Sequence, residues 1–161
     1  MTAASGPLDV DPEQEGVDPL ALERQVCFAL AVASRNVIGV YRPVLEELNL
    51  THPQYLVMLA LWQRSPLSLT EVARLLQLEL ATLSPLVKRL EANGYVDRRR
   101  DPRDERSVQI TLTDEGRQLR ERALAVPVTV MEQLKLSEDD VRLLRGALTP
   151  LIERTLDLRG K

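Results

Sequence analysis

The segment from Leu80 to Leu112, LATLSPLVKRLEANG followed by YVDRRRDPRDERSVQITL, constrains the fold of this chain more than any other. Its first half sets Leu83, Leu86, Val87 and Leu90 at three- and four-residue steps, the spacing of a helix with one buried face. Thr82, Ser84, Lys88 and Arg89 stand off that face. Pro85 lies just past the first turn, where it removes a single ladder bond, so the helix is read as beginning near Leu80 rather than at a Ser84 cap. Gly94 is placed to end it as the C′ residue. Two short alternating runs follow, Tyr95–Arg99 and Val108–Leu112, with a loop between them carrying Arg100, Arg103 and Arg106. A polar-faced helix leading straight into a basic hairpin suits a duplex. The helix fits a major groove, and the arm tracks phosphates or reaches a minor groove.

Charge supports this locally and not globally. The chain has 21 basic and 24 acidic residues, a net charge of −3. Between Ser84 and Arg106, seven cations against five anions leave +2, so the remainder carries −5. That asymmetry fits a nucleic-acid patch on an otherwise acidic molecule. A solvated charged hairpin beside an ordinary amphipathic helix would give the same pattern.

A length of 161 residues with 44% hydrophobic content allows one domain with a real core. No apolar run reaches the ~18 residues of a membrane span, and the N-terminus lacks the layout of a secretory signal, so the cytoplasm is the expected compartment. A single cysteine and a single histidine rule out an intrachain disulfide and argue against a metal site of the usual His/Cys type; no cofactor is expected. Five aromatic residues (Phe28, Tyr41, Tyr55, Trp62, Tyr95) are too few for a single-strand binder that stacks bases on rings.

Residues 1–17, rich in Pro, Gly and acid, read as a disordered tail. Asp18-Pro19 reads as the N-cap and first position of a long helix running to about Leu48, with Pro43 bending its last turns. A second helix, Pro53–Gln63, is apolar nearly all round and belongs at the centre. Ser68 and Glu71 form a capping box for a short helix, Leu69–Leu76. With the Leu80 helix this makes a helix-turn-helix, so the expected fold is mainly α: a winged helix-turn-helix with a small β-hairpin wing. Thr113 caps a helix to about Leu134, interrupted by Pro127, and Ser137 caps a last one bearing Val141, Leu144, Leu148, Leu151, Ile152 and Leu156. The terminal helices carry more apolar surface than this core can cover. Residues 18–48 and 114–158 therefore read as a homodimerisation region around a DNA-binding region, 49–113, within one compact domain. A two-fold dimer sets two reading helices ~34 Å apart over a palindromic operator.

With this order of elements and the stretch TLSPLVKRLEANGYVDRRRDPRDERSVQITLTDEG, the chain resembles the MarR family of dimeric bacterial repressors over about residues 19 to 158. Asp104-Glu105-Arg106 followed by Ile110, Leu112 and Thr113 is similar to the family's wing signature. LERQVCFAL, THPQYLVMLALW and DERSVQITLT resemble the organic-hydroperoxide sensor subgroup, the OhrR type. There, a first-helix cysteine is oxidised by organic hydroperoxides and DNA is released. The resemblance puts Cys27 in that place and Tyr41 among the tyrosines around the thiolate. The chain departs from the subgroup at Ala31 and His52, each standing where tyrosine is common, and His52 is a candidate replacement donor. Fourteen helical residues turn ~1400° and rise ~21 Å, so Tyr41 meets a Cys27 only across an antiparallel first helix of a second subunit.

The resemblance assigns DNA contact to Thr82, Ser84, Pro85, Lys88, Arg89, Arg98, Arg99, Arg100, Arg103 and Arg106. Arg98–Arg100 are the candidates for phosphates and Arg103 for the minor groove, while Asp104 and Arg106 shape the wing as an ion pair. Competing readings stay open. Cys27 is a redox thiol or a small core filler; His52 is a thiol partner or simply the residue before Pro53. The expected function is a transcriptional regulator, a repressor switched by Cys27 oxidation. The alternative is a repressor released by a small organic, phenolic ligand. A thiol peroxidase is disfavoured, because one cysteine has no resolving partner in the chain.

Overall fold

The computed structural model describes residue 18 and residues 20–101 and 104–159. Seven helices and three short strands follow in the order α1 (Val26–Glu46), α2 (His52–Gln63), β1 (Leu67–Ser68), α3 (Leu69–Leu76), α4 (Leu80–Ala92), β2 (Val96–Asp101), β3 (Asp104–Leu112), α5 (Asp114–Ala123), α6 (Ala125–Leu134) and α7 (Glu138–Arg159). The strands form one antiparallel sheet in the order β1-β3-β2, a helix-turn-helix with a wing.

Local chemistry explains most element ends. Ser68 Oγ accepts from the Glu71 amide at 3.1 Å while the Glu71 carboxylate accepts from the Ser68 amide at 2.8 Å, so the capping box at α3 forms reciprocally. Thr51 and Gln54 do similar work at α2, where Gln54 Oε1 accepts from the Thr51 amide at 2.8 Å. Thr113 Oγ1 accepts from the Gly116 amide at the start of α5, and Ser137 pairs with Asp140 before α7. Gly94 takes φ +78° after α4, and the amides of Gly94 and Tyr95 close back on the carbonyls of Glu91 and Leu90. The same closure ends the helices at Asn49, Gln77 and Lys135, none of them glycine.

Several boundaries differ from the sequence reading. Asp18 does accept from the Leu20 amide at 2.9 Å, but the turn it caps leads into a short 3-10 segment, Leu22–Arg24, and the long helix starts only at Val26. Pro43 sits inside α1, which runs on to Glu46. The helix expected over 114–134 is two helices that break at Leu124; Pro127 falls in the first turn of α6, where proline is tolerated. The hairpin is longer than its alternating runs suggested. Arg100 lies in β2 and Arg106 in β3 rather than in a loop, with a register irregularity after Arg100. A third strand, β1, pairs Leu67 with Ile110 and Ser68 with Gln109.

The core runs from Leu45 to Val130 and is centred on α2, whose Val57, Met58 and Leu61 are enclosed. Around them pack Val72 of α3, Leu83, Val87 and Leu90 of α4, Val96 and Ile110 of the wing, and Leu119, Val126 and Val130 of α5 and α6. The start of α1 and all of α7 stay outside. Val26 is 66% exposed and Ile152 52%, and Leu45 is the one buried residue of α1. No helix of the described residues is long and apolar enough to cross a membrane.

Candidate nucleic-acid interface and thiol site

The buried face of α4 fixes what the helix offers to a partner. Leu83, Val87 and Leu90 point into the core, so at 100° per residue Ala81, Pro85, Lys88 and Ala92 lie along the opposite side, and each is exposed. Thr82 and Arg89 occupy one shoulder of that face and are also exposed. Ser84 occupies the other shoulder and is half-buried, beside Glu91. The sequence-derived set thus spans the outward half of the helix rather than one stripe.

The wing is tied to α4 through the first of its arginines. Arg98 Nε donates to Glu91 Oε2 at 2.7 Å, and the Arg98 amide donates to Glu91 Oε1 at 3.3 Å. Arg98 is therefore engaged within the chain, holding the arm against the helix. Arg99 and Arg100 are exposed, with Asp97 at 3.6 Å from Arg99. Arg103 and the side chains of Asp104 and Arg106 lie outside the described residues. At the root of the wing, Thr113 Oγ1 donates to the Gly94 carbonyl at 2.6 Å, the Thr113 amide donates to the Tyr95 carbonyl, and Tyr95 donates its hydroxyl to the Leu48 carbonyl at 3.1 Å. Reading helix, wing and α5 thus share one hydrogen-bonded junction.

Cys27 is the second residue of α1 and is exposed, so it fills no space in the core of its own chain. Its chain neighbours are mixed: Leu22, Arg24 and Val26 are exposed, and Gln25 and Phe28 are half-buried. Tyr41 lies fourteen residues along the same helix and packs edge-on to His52, ring centroids 5.3 Å apart. Burial lowers the pKa of His52, which keeps the imidazole neutral near pH 7. The chain brings Tyr41 and His52 together and leaves Cys27 at the other end of α1.

Sequence reasoning missed the continuation of that pair. Tyr41 also meets Tyr55 at 6.1 Å, and Tyr55 meets Trp62 at 6.3 Å, whose indole N–H donates to the Gly116 carbonyl at 2.8 Å. Burial, and then the neighbouring Tyr41, raise the pKa of Tyr55. Three-, four- and seven-residue steps along α2 (His52, Tyr55, Leu59, Trp62) were the available signal. Beside this row, Tyr55, Leu59, Trp62, Arg120 and Pro127 line a cavity of about 300 Å³. Among the described residues, no group of three or more His, Cys, Asp or Glu side chains is placed to hold a metal ion.

Comparison with known proteins agrees with this architecture. Residues 39–123 match the family model described as transcriptional regulator SarA/Rot. The chain is 41% identical over 136 residues to the organic hydroperoxide resistance transcriptional regulator of Bacillus subtilis (strain 168), covering 84% of this chain and 92% of that one. It is 45% identical over 134 residues to the HTH-type transcriptional regulator TtmR of Methylorubrum extorquens (strain PA1), covering 83% and 69%. Among solved structures it is similar to reduced AbfR bound to DNA, with a TM-score of 0.69, 35% identity, and 84% and 94% of the two chains covered. The overoxidized form of AbfR, also bound to DNA, matches with the same TM-score at 34% identity over 83% and 94%. The outward face of α4, the wing locked beside it and these matches place the chain in one family: it is a member of the SarA/Rot transcriptional regulators, with a winged helix-turn-helix fold.

Proposed function

We propose that this protein is a homodimeric, DNA-binding repressor that leaves its operator when an organic hydroperoxide oxidises Cys27. The observation that carries the reading is the layout of α1, an exposed thiol at one end and the Tyr41–His52 pair at the other. In an antiparallel pair of α1 helices, the thiol of one subunit meets the Tyr41–His52 pair of the other. Tyr41 then donates to the thiolate, and His52 fills the place of a second donor. The relatives support the oxidation step, since one is named for organic hydroperoxide resistance and AbfR is described in reduced and overoxidized forms, both bound to DNA.

In the sensing step the thiolate sulfur attacks one peroxide oxygen. The O–O bond breaks, the alkoxide leaves and takes up a proton as an alcohol, and sulfur is left as sulfenic acid. With one cysteine per chain, a small thiol condenses with that sulfenic acid, releasing water and leaving a mixed disulfide. The new group is larger and more polar than the thiol it replaces. It displaces α1, and with it the spacing of the two α4 helices.

In this reading residues 49–113 read DNA, residues 18–48 and 114–158 hold the dimer, and the molecule works in the cytoplasm beside the chromosome. Thr82, Pro85, Lys88 and Arg89 face the major groove with Ser84 at its edge. Arg99 and Arg100 reach phosphates, Arg98 positions the wing, and Arg103 enters the minor groove over an arm shaped by Asp104 and Arg106. Fluorescence anisotropy on the duplex flanking the protein's own gene tests the switch. Cumene hydroperoxide is expected to release the wild type and to leave Cys27→Ser bound; release of both would overturn thiol sensing.

The cavity beside Trp62 favours a second reading. Its aromatic walls and Arg120 suit a small phenolic acid, which would act on the lobe without the thiol. Cys27→Ser separates the two, because it would keep full response to such a ligand.

A further inference from the structure

We propose that the first two outward turns of α4 recognise thymine through its 5-methyl group, with Ala81 and Pro85 as the specificity-determining contacts. This rests on the DNA-binding reading above and adds the chemistry of what is read. Elimination gives the first support. Between Leu80 and Ala92 the helix has no Asn, Gln or Asp, and its one Glu, Glu91, is engaged by Arg98. Adenine's N6/N7 edge calls for Asn or Gln, and cytosine's amino group for a carboxylate. Neither preferred reader is free on this helix, and only the single hydroxyls of Thr82 and Ser84 can hydrogen-bond those edges.

The order of groups along the outward face gives the second. Its N-terminal half, the part of a reading helix that approaches base edges, presents Ala81, the methyl-bearing Thr82 and Pro85, all exposed. Cations begin only at Lys88 and Arg89, where guanine or phosphate is within their chemistry. The thymine methyl is the apolar group that a major groove displays, and an apolar helix face is its complement.

Pro85 itself gives the third. It is the sixth residue of α4, past the first turn where proline is free of cost, and there it removes a ladder bond and lowers helix stability. It is exposed and stands outside the buried cluster, so the chain's own packing returns nothing for that loss. Its ring carbons lie at the middle of the face turned to a partner.

The test begins with selection by the wild-type protein from a pool of random duplexes about 30 base pairs long, enough for two half-sites one turn apart. The recovered sites are expected to share clustered thymines in each half-site. Replacing those thymines one at a time with deoxyuridine removes the methyl group alone. Each contacted position is expected to lose about fourfold in affinity, the value of one buried methyl group, while deoxyuridine outside the half-sites changes nothing. Pro85→Ala, which restores a good helix former, is expected to bind with the same salt dependence but to tell thymine from deoxyuridine by less than twofold at one position per half-site. Glu79→Gln, which neutralises the exposed carboxylate just ahead of the helix, is expected to keep the discrimination. Equal binding of thymine and deoxyuridine sites, or loss of sequence preference on Glu79→Gln instead of Pro85→Ala, would overturn the proposal while leaving DNA binding intact. Failure to bind any duplex in a salt-dependent way would remove the DNA-binding reading itself, and the proposal with it.

Discussion

The winged lobe and the terminal helices are built on opposite terms. In the lobe, every element from α2 to β3 contributes side chains to one enclosed cluster, and reading helix, wing and α5 meet in a shared set of hydrogen bonds. In α7, among the described residues, no side chain is buried, and Leu144, Leu148, Leu151 and Ile152 stand open along one side. The lobe has its folding information inside one chain. The terminal helices leave theirs incomplete within one chain, because an apolar stripe of this length is stable only when something covers it. A switch that works by moving reading helices needs both kinds of region: a rigid body to carry α4, and a joint whose packing one modified sulfur can disturb.

Substitutions in the two regions should therefore fail differently. Gly116 is buried, and a Cβ on it would run into the carbonyl oxygen of Tyr95 while Trp62 holds its own carbonyl from the other side. Gly116→Ala is expected to cost about 3 kcal/mol, at the upper end of overpacking, seen as a lowered urea midpoint. Ile152→Asp should leave the lobe's fold intact and weaken the dimer at least tenfold, roughly 1.4 kcal/mol or more, read by sedimentation across a dilution series. An Ile152→Asp chain that sediments like wild type would break the comparison. Thr113→Ala falls between the two in kind and below both in size. It removes an N-cap and a bond to Gly94 and is expected to cost about 1 kcal/mol in the same urea titration.

What the sequence disclosed follows the same division between local and distant causes. The buried face of α4, the Ser68–Glu71 box and the Gly94 turn were readable because each signal lies within a few residues. The left-handed residues at Gln77 and Lys135 carry no glycine to announce them; the chain accepts a local cost so that α3 and α6 can close on their own carbonyls. β1 is two residues long and is a strand only because β3 lies beside it. The difference between Arg98 and its neighbours in the wing was hidden for a similar reason. Nothing near Arg98 in sequence marks it as different from Arg99 and Arg100, and only the approach of α4 brings Glu91 to it. The surplus apolar surface at both ends was visible from composition and periodicity. The late start of α1 at Val26 was not, since Asp18 is a competent cap that serves a different turn.

The seam between lobe and α1 offers the finest test, through His52. Its ring packs against Tyr41 of α1, and Arg42 and Glu46 of the same helix line the adjoining cavity with it. Burial lowers its pKa in the folded state below the ordinary 6.5, whereas the unfolded chain titrates near that value. On falling from pH 7 the unfolded state takes up the proton first, so this residue's effect on stability is absent above about pH 7 and turns unfavourable as pH drops through 6.5, levelling off below the folded-state pKa. His52→Gln keeps a polar side chain at the helix start and removes the titration. Urea denaturation at pH 7.5 and 5.5 is expected to show a smaller drop in stability for the variant than for the wild type. The difference should be smaller than the effect of Gly116→Ala, Ile152→Asp or Thr113→Ala, because the ring is only half-buried and solvent shares the cost of charging it. Identical drops for the two proteins would mean that the ring is solvated well enough to take its proton freely, and the seam would then belong with the open surfaces of α7 rather than with the lobe.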